Sequence, residues 1–516
     1  MISLRSLLLA GAAATLIHAG AMAQAPVSPD QAAAAETQLR DWIGGMLGSS
    51  VKLSERPVHV TPAGDHYDVR VLLVPRPAAD GGDIAITATA RPVEGGKWDV
   101  DNIRQTNPLR FSMARSVPDD AGGTTTATLH YNIDVQSQGG RMQLDPTLAT
   151  PTTYSSSSTG LTSHTEGGPL VQDTTAGPIN SVMTIRPAGP DRVDINADAT
   201  AQDYHIVSRK DDDTAMDISM DRVRANFAVT GVSRAHGTML VRTMATIISQ
   251  SMAAMPTTGQ PTPDAAPKVA PELLESLLNA LQDFASTMVF DESVQNLSVK
   301  VEDIVVAMKE ARIGLAAKSN AGLLDASMDI GVTGLGLEGL PMDGMDDLIP
   351  SVVALRPFVS GIAVNDLIQM AKNNGQQPSP EQINKLFSHG GISTGLESML
   401  VNVGGASFAG QGKVVLTSPT ALTGTGTVTA ENFDDLIDKL SASPTTAQSV
   451  PALALVKGLA RIVNGKLTWN INYDGAKLLV NNVDVMAMAN GGPAKAPPAS
   501  RPGGPSTAPV APSAPR

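Results

Sequence analysis

The sequence contains no cysteine, and only 3% of its 516 residues are aromatic. Without cysteine the chain can form no disulfide and has no residue for the lipid attachment of a bacterial lipoprotein. Scarce aromatic rings disfavour sites that stack sugars or single-stranded nucleic acid. The core is therefore expected to consist mainly of Ala, Val, Leu, Met and Thr side chains.

Basic residues are also in deficit, because 37 Lys and Arg residues stand against 50 Asp and Glu residues, giving a formal net charge of −13. Proteins that bind nucleic acid or anionic membrane surfaces through bulk charge use clustered Lys and Arg side chains. The composition therefore argues against nucleic acid as a partner.

Long apolar runs are missing except at the N-terminus. Arg5 is followed by the apolar segment Leu7–Ile17 and by a small-residue site at Ala21–Ala23 or Ala23–Ala25, a pattern typical of a secretory signal peptide. No other run approaches the roughly 20 apolar residues of a membrane-spanning helix. We expect residues 1–25 to be cleaved, no transmembrane span in the mature chain, and a periplasmic or secreted location.

Residues 26–252 are expected to form a β-rich N-terminal domain. A helical pattern at Gln31–Leu47 precedes segments in which apolar and polar residues alternate, as in strands with one solvated face. The clearest such segments are Ala127–Val135, Met216–Met220 and Val223–Val229. The polar stretch Thr147–Gly177 is interpreted as either a flexible excursion or a polar strand.

A proline-rich linker at 253–271 is expected to precede a C-terminal α+β domain at 272–487. The segment from Pro271 to Phe290 predicts an amphipathic helix. Its apolar face would consist of Leu274, Leu277, Leu278, Leu281, Phe284 and Met288. Residues 488–516 are almost wholly Pro, Ala, Gly and Ser, so we expect a disordered tail.

The segment Ala406–Val485 has the clearest pattern of the chain. Glycine-rich strands lead to an amphipathic helix at Glu431–Leu440 and then to two strands joined by Asp474-Gly475, a pair suited to a type I′ hairpin. A similar strand-to-helix step at Val359–Ala371 is compatible with an internal repeat. Further helices are expected at Val364–Lys372, Pro380–Phe387 and Val450–Val463.

These patterns predict an α+β fold of extended, curved antiparallel β-sheets. We expect two similar halves, with amphipathic helices packed on one apolar face of each sheet, because period-two strands leave one face that must be covered or must bind something apolar.

Motif matches do not support a cofactor or metal site. Gly334–Gly339 has the spacing of a dinucleotide-binding loop, but turn residues follow it where that loop needs a helix. The eight histidines are scattered, and the acidic turns Asp211–Asp213 and Asp343–Asp347 do not have the spacing of an EF-hand loop. We predict no cofactor-binding and no metal-binding residues.

A match to a serine hydrolase motif has its serine and histidine in the wrong order along the chain. Gly391–Gly395 fits the nucleophile elbow around Ser393, but the histidine of that elbow follows the serine in the chain, and His389 is the last histidine. A convergent arrangement with His205 or His236 is the remaining route to a hydrolase. We therefore predict no catalytic residue.

Three short features carry a resemblance to known proteins: Gly410 and Gly412 in a strand, the helix entry Asn432–Leu436, and the closing strands around Asp474. The C-terminal unit is similar to exported alphaproteobacterial proteins of uncharacterised, domain-of-unknown-function families. It more distantly resembles AsmA-like envelope proteins. The latter resemblance implies extended β-sheets that form lipid-holding grooves.

The leading hypothesis is a non-enzymatic exported envelope protein that acts as a structural or interaction module through its sheet edges or proline-rich tail. One alternative is binding or transfer of a lipid or other apolar ligand in the periplasm by a curled sheet. A second alternative is a secreted hydrolase. The sequence predicts neither the identity of a ligand or partner nor the oligomeric state.

Overall fold

A computed structural model describes most of the chain between residues 27 and 489. The described residues are 27–47, 57–74, 82–94, 97–118, 124–145, 150–168, 171–210, 213–237, 239–240, 243, 276, 279, 284–320, 322–340, 346–371, 378–442 and 444–489. The expected signal peptide, the proline-rich linker and all but the first two residues of the expected tail lie outside these ranges.

The described chain consists mainly of strands. They are β1 (Val58–Ala63), β2 (His66–Val74), β3 (Ile84–Pro92), β4 (Trp98–Gln105), β5 (Leu109–Pro118), β6 (Thr124–Asp145), β7 (Thr150–Glu166), β8 (Val171–Ala176), β9 (Ile179–Pro187), β10 (Arg192–Lys210), β11 (Asp213–Ser233), β12 (Thr287–Val301), β13 (Ile304–Asn320), β14 (Leu323–Thr333), β15 (Gly336–Glu338), β16 (Val352–Ala363), β17 (Ile392–Val403), β18 (Ala406–Leu416), β19 (Leu422–Glu431), β20 (Arg461–Val463), β21 (Lys466–Tyr473), β22 (Leu478–Val480) and β23 (Val483–Asp484).

Helices flank the strands at both ends of the described chain and after β16, and between β11 and β12 the described residues 234–237, 239–240, 243, 276 and 279 are also helical. The α-helices outside this stretch are α1 (Pro29–Leu47), α2 (Val364–Ala371), α3 (Pro380–Leu386), α4 (Phe433–Ala442), α5 (Pro444–Ala447), α6 (Val450–Gly458) and α7 (Val485–Ala489). Within the described ranges, every helix is too short or too polar to cross a membrane.

All strands belong to one antiparallel sheet. Strands β1 to β4 pair in sequence, and β4 and β5 both pair with β6. Strands β8 and β9 lie end to end between β7 and β10. The sheet then continues through β11, β12, β13, β14, β16, β17, β18 and β19 to β21. Most neighbours are consecutive in the chain, as short antiparallel connections require.

The strands on the two sides of the expected linker are hydrogen-bonded to each other. Strand β11 pairs with β12 from Asp217 opposite Lys300 to Thr230 opposite Thr287. The sheets expected for two halves are therefore parts of one ladder. The domain boundaries themselves stay a prediction.

A line of backbone irregularities crosses the long strands at one level. The ladder skips one position in each of the pairs β6–β7, β10–β11 and β12–β13, while the register on the two sides of the skipped position is the same. Asn296 on this line donates a hydrogen bond from Nδ2 to Asp221 Oδ2 at 2.7 Å. We call this the kink line, and it consists of Gln136, Gly160, Gly177, Asp203, Asp221, Asn296, Lys309 and Gly334.

Residues with positive φ recur on alternate strands of the kink line. They are Gly160 (62°), Asp203 (49°), Asn296 (52°) and Gly334 (62°). Gly, Asn and Asp are the residues that adopt this left-handed conformation at least cost. Because such a residue does not make the half-turn of an extended residue, it resets the alternation of side chains between faces.

The apolar pattern changes phase at the kink line. In β11 it passes from even-numbered to odd-numbered residues, in the order Met216, Ile218, Met220, Val223, Ala225 and Phe227. In β12 it passes from Met288 and Phe290 to Leu297, Val299 and Val301. The segments expected as two strands at Met216–Met220 and Val223–Val229 are therefore one strand with a kink at Asp221.

At the N-terminal end of the sheet, α1 packs on the first strands. Ala32, Ala35 and Leu39 belong to the same buried cluster as Tyr67 and Trp98. The Tyr67 hydroxyl donates to Gln31 Oε1 at 2.7 Å, so its polar atom is satisfied while its ring is buried. The expected helix at Gln31–Leu47 is confirmed.

At the C-terminal end, α4 and α6 pack on the last strands. Phe433 contacts the rings of Phe408 and Trp469, with centroids 5.7 and 5.9 Å apart. The Trp469 indole donates from Nε1 to the carbonyl of Val456 at 2.8 Å, which ties α6 to β21. The expected strand-to-helix steps are confirmed at β16–α2 and β19–α4.

Three local expectations were wrong. Met288 lies in β12 and not in a helix, because the ladder between β11 and β12 already begins at Thr287, which lies opposite Thr230. The helix expected to reach Val463 ends at Gly458, and β20 follows. The hairpin at Asp474 has a four-residue loop, because Tyr473 pairs with Leu478; within the loop, the Asp474 carboxylate accepts hydrogen bonds from the backbone amides of Ala476 and Lys477.

The polar stretch at Thr147–Gly177 proved to be mainly strand. Thr150–Glu166 forms β7, which pairs with β6 along most of its length. Hydroxyl pairs such as Ser137 with Thr159, 2.6 Å apart, satisfy polar side chains on its surface. The structure therefore favours the polar strand over the flexible excursion.

A substitution at the kink line tests its backbone geometry. We expect the free energy of unfolding of Asn296→Val to be about 1–2 kcal/mol lower than that of Asn296→Gly, because a β-branched residue is strained at positive φ. Urea unfolding measures this difference, and Asn296→Val should unfold at the lower urea concentration. Both variants lose the hydrogen bond to Asp221, so the comparison isolates the backbone. Equal unfolding midpoints would contradict the assigned conformation.

Candidate ligand-binding face

One row of side chains shows how a single face extends across the sheet. Residues directly opposite each other in an antiparallel ladder lie on the same face. The row runs through Tyr67, Ala90, Val100, Met142, Tyr154, Met183, Ala197, Phe227, Phe290, Leu315 and Met328. Every member is apolar or aromatic.

The central part of this face is rich in large aliphatic side chains. We call it the open apolar face, and it consists of Val223, Ala225, Phe227, Met288, Phe290, Val294, Ala311, Ile313, Leu315, Ala326, Met328, Ile330, Leu355 and Met399. Three of its members are exposed although their strands lie inside the sheet: Met288 at 41%, Ile313 at 43% and Leu315 at 43%. Clustered exposed apolar side chains mark a binding surface more often than isolated ones do.

The opposite face of the same strands is charged. Arg224 Nη2 lies 2.8 Å from Asp198 Oδ2, and Arg312 pairs with Asp291 through Nε at 2.9 Å. Arg356 Nε lies 2.9 Å from Glu397 Oε2. The sheet is therefore amphipathic, with an ion-paired face in solvent and an apolar face on the other side.

Glu292 is the exception on the open apolar face. It lies opposite Ala225 on one neighbouring strand and Ile313 on the other, with Phe290 and Val294 beside it along β12. Among the described face residues from β10 to β21 it is the only charged one. Sequence reasoning missed it because the segment up to Phe290 was assigned to a helix, although the alternation of Met288, Phe290 and Val294 is a period-two signal.

A polar cluster lies beyond the kink line on β7, β8, β10 and β11. His164 Nδ1 is 2.7 Å from Asp173 Oδ1, and Arg209 also pairs with Asp173. The hydrogen bond to Asp173 raises the pKa of His164, and the bonds from His164 and Arg209 lower the pKa of Asp173. Each group in this cluster is already paired.

A polar cavity of about 600 Å³ lies near β4, β6 and β7. Arg91 and Arg141 both pair with Asp101 at its wall, at 3.5 and 2.7 Å. Hydroxyl groups of residues 155–157 line it, but its described lining residues include no histidine to act as a base.

The structure separates the residues of the sequence motifs. Ser393 lies inside β17, opposite Ser360 and Val415, and not at the strand-to-helix turn of a nucleophile elbow. His389 Nε2 lies 3.4 Å from Asp366 Oδ2. His205 on β10 pairs with Asp217 on β11. Strand β10 is six strand spacings from β17, so His205 lies roughly 29 Å from the strand of Ser393.

Of the remaining motif matches, Asp211, Asp212 and Asp343 of the acidic turns lie outside the described residues. Gly334 is on the kink line, and Gly336–Glu338 form the short strand β15, with no described helix at the loop. Asp347 of the second acidic turn pairs with Lys439 at 2.9 Å. The described residues contain no group of three or more potential metal ligands.

Residues 274–468 match the model of a family described as an uncharacterized protein conserved in bacteria (DUF2125). The matched segment includes β12 to β19, and with them Glu292 and most of the open apolar face. No curated protein and no solved structure matches the chain. The expected resemblance to an uncharacterised bacterial family is confirmed for these residues, and the resemblance to AsmA-like proteins stays a prediction.

The His164–Asp173 pair makes a pH-dependent contribution to stability. Because the pKa of His164 is raised on folding, this contribution is fully present below the unfolded-state value of about 6.5 and is lost as the pH rises through the folded-state pKa. We expect a double-mutant cycle of His164→Gln and Asp173→Asn to give a coupling of no more than about 1 kcal/mol at pH 5.5, since both side chains are partly exposed. The coupling should be smaller at pH 8.5, and a coupling that grows with pH would reverse the assignment.

Proposed function

We propose that this chain is a non-enzymatic exported envelope protein whose open apolar face binds the acyl chain of a lipid or another apolar ligand. The observation that carries the proposal is the exposure of Met288, Ile313 and Leu315 at the centre of a face whose described residues are, with the exception of Glu292, uncharged from β10 to β21. Leaving such side chains in water costs free energy, roughly 25 cal/mol for each Å² of apolar surface. A bound acyl chain would remove that cost.

The placement of the helices supports the proposal. At one end, Tyr67 and Ala90 of the apolar row belong to the buried cluster under α1. At the other end, Val428 lies opposite Trp469, which belongs to the buried cluster under α4 and α6, and Val428 packs against that cluster. In the proposed arrangement the helices cover both ends of one face. The central strands, which none of the helices α1 to α7 covers among the described residues, are then the place for a ligand.

The dimensions fit a lipid. Strands β11, β12, β13, β14, β16 and β17 are consecutive neighbours. At about 4.8 Å per strand they span roughly 24 Å. An acyl chain covers half of the roughly 30 Å hydrocarbon core of a bilayer, so it fits within this width.

The expected signal peptide places the protein where such ligands occur. We propose a periplasmic or secreted location, reached after cleavage of residues 1–25. Native mass spectrometry of protein purified from a periplasmic extract, followed by organic extraction, tests both parts. A stoichiometric lipid supports carrier function, and bare protein that regains no lipid from membranes opposes it.

Substitutions on the two faces of the sheet separate binding from stability. We expect Ile313→Gln with Leu315→Gln to weaken binding of a fluorescent acyl probe with an uncharged headgroup about tenfold, because two aliphatic contacts are lost. Val289→Gln is the matched control, since Val289 is 42% exposed on β12 and faces the charged side. Equal loss in both variants would place the ligand elsewhere.

A second candidate function is docking of another envelope protein at the C-terminal sheet edge. Among the described strands, β20 pairs with β21 alone, and its Ile462 is 78% exposed. Leu455 of α6 is 58% exposed. A partner strand that adds to this edge would pair the free backbone groups and cover these side chains.

The docking candidate is tested by photocrosslinking in cells. We expect a crosslinker at position 462 to give a discrete protein adduct that Val463→Asp abolishes. A crosslinker at position 182 serves as control, because Val182 is 51% exposed on the interior strand β9. Absence of an adduct at 462, or equal adducts at both positions, would eliminate this edge as the docking site.

A further inference from the structure

Glu292 is a carboxylate to which the described residues supply no partner of opposite charge. Its cross-strand neighbours Ala225 and Ile313 are apolar, and so are its neighbours on the same face of β12. The arginines of the adjacent strands, Arg224 and Arg312, lie on the other face and pair with Asp198 and Asp291.

The position of Glu292 coincides with the exposed part of the open apolar face. Ile313 lies directly opposite Glu292 on β13. Along the same face, Leu315 lies opposite Phe290, and Met288 is the next face residue of β12 after Phe290. A ligand that covers Ile313, Leu315 and Met288 would therefore lie over the carboxylate. Burying an ionised carboxylate under an apolar chain is costly unless a charge or hydrogen-bond donor compensates it.

We propose that the ligand of this face is an amphiphile with a cationic or amine headgroup, and that Glu292 pairs with that headgroup while the aliphatic side chains hold the tail. An ammonium group donates hydrogen bonds to the carboxylate and neutralises it. An anionic headgroup at the same place would be repelled. This inference rests on the proposed binding of an apolar ligand and names its chemical class.

An alternative role for Glu292, which requires no ligand, is protection against aggregation. A charged residue on an exposed apolar strand surface discourages pairing with other chains. That role predicts that removing the charge changes solubility and leaves the choice among amphiphiles the same. The two roles therefore differ in a measurable selectivity.

The test uses two probes with the same tail, dodecylamine and dodecanoate, below their micellar concentrations, with the full mature chain. We expect the wild-type protein to bind dodecylamine more tightly, and Glu292→Gln to reduce this preference about fivefold, the size of a partly exposed ion pair. Glu292→Asp should retain part of the preference. High salt should reduce it.

Glu310→Gln is the matched control. Glu310 is exposed on β13, lies opposite Gln295 and faces the charged side with Arg312. The control removes the same charge from a protein whose formal net charge is −13, so it corrects for general attraction of cations.

The outcomes separate the two proposals. If both probes bind and their preference is the same in Glu292→Gln and Glu310→Gln, the headgroup inference is overturned and the apolar site is kept. If neither probe binds the wild-type protein, the proposed function fails and the inference fails with it. Loss of preference in Glu292→Gln alone supports both.

Discussion

The sheet depends on a register that must hold across many neighbouring strands. A slip of one residue would move every apolar side chain of a strand to the charged face. The kink line shows how this constraint is met, because a phase change in β11 at Asp221 is matched in β12 at Asn296. Gly160 and Gly334 allow the same change on β7 and beside β14. Kinks on alternate strands thus bend the chain without breaking the ladder.

The same ladder explains how an apolar face can remain open. Backbone groups in the interior of the sheet are satisfied by their neighbours, so the strands need no helix for their hydrogen bonds. Ion pairs such as Asp198–Arg224 and Arg356–Glu397 keep the opposite face compatible with water. Within the part of the chain that the structure describes, Met288, Ile313 and Leu315 of the open apolar face are exposed, and their exposure leaves the backbone hydrogen bonds of the ladder intact.

The sequence predicted elements whose patterns are long and unambiguous. Alternation at Ala127–Val135 and the helical spacing at Gln31–Leu47 both correspond to elements of the structure. It failed for Met288, since apolar residues spaced from Leu274 onward fit a helix as well as a strand. Kinks were read as strand ends because a phase change looks like a boundary when the ladder is unknown. The alternation of apolar residues in β13, which forms part of the binding face, was predictable from the sequence. The assembly of the whole face from β11 to β17 was not, because it depends on pairings between distant segments.

The proposed binding function asks less of the polar groups than catalysis would. Catalysis needs several groups that converge on one point with free capacity to exchange protons or attack. Of the described histidines, His164 pairs with Asp173, His205 with Asp217, and His389 with Asp366. A binding face needs no such convergence, because apolar contact is non-directional and one charge is enough to orient an amphiphile. Glu292 among the aliphatic side chains of β12 and β13 meets this smaller requirement.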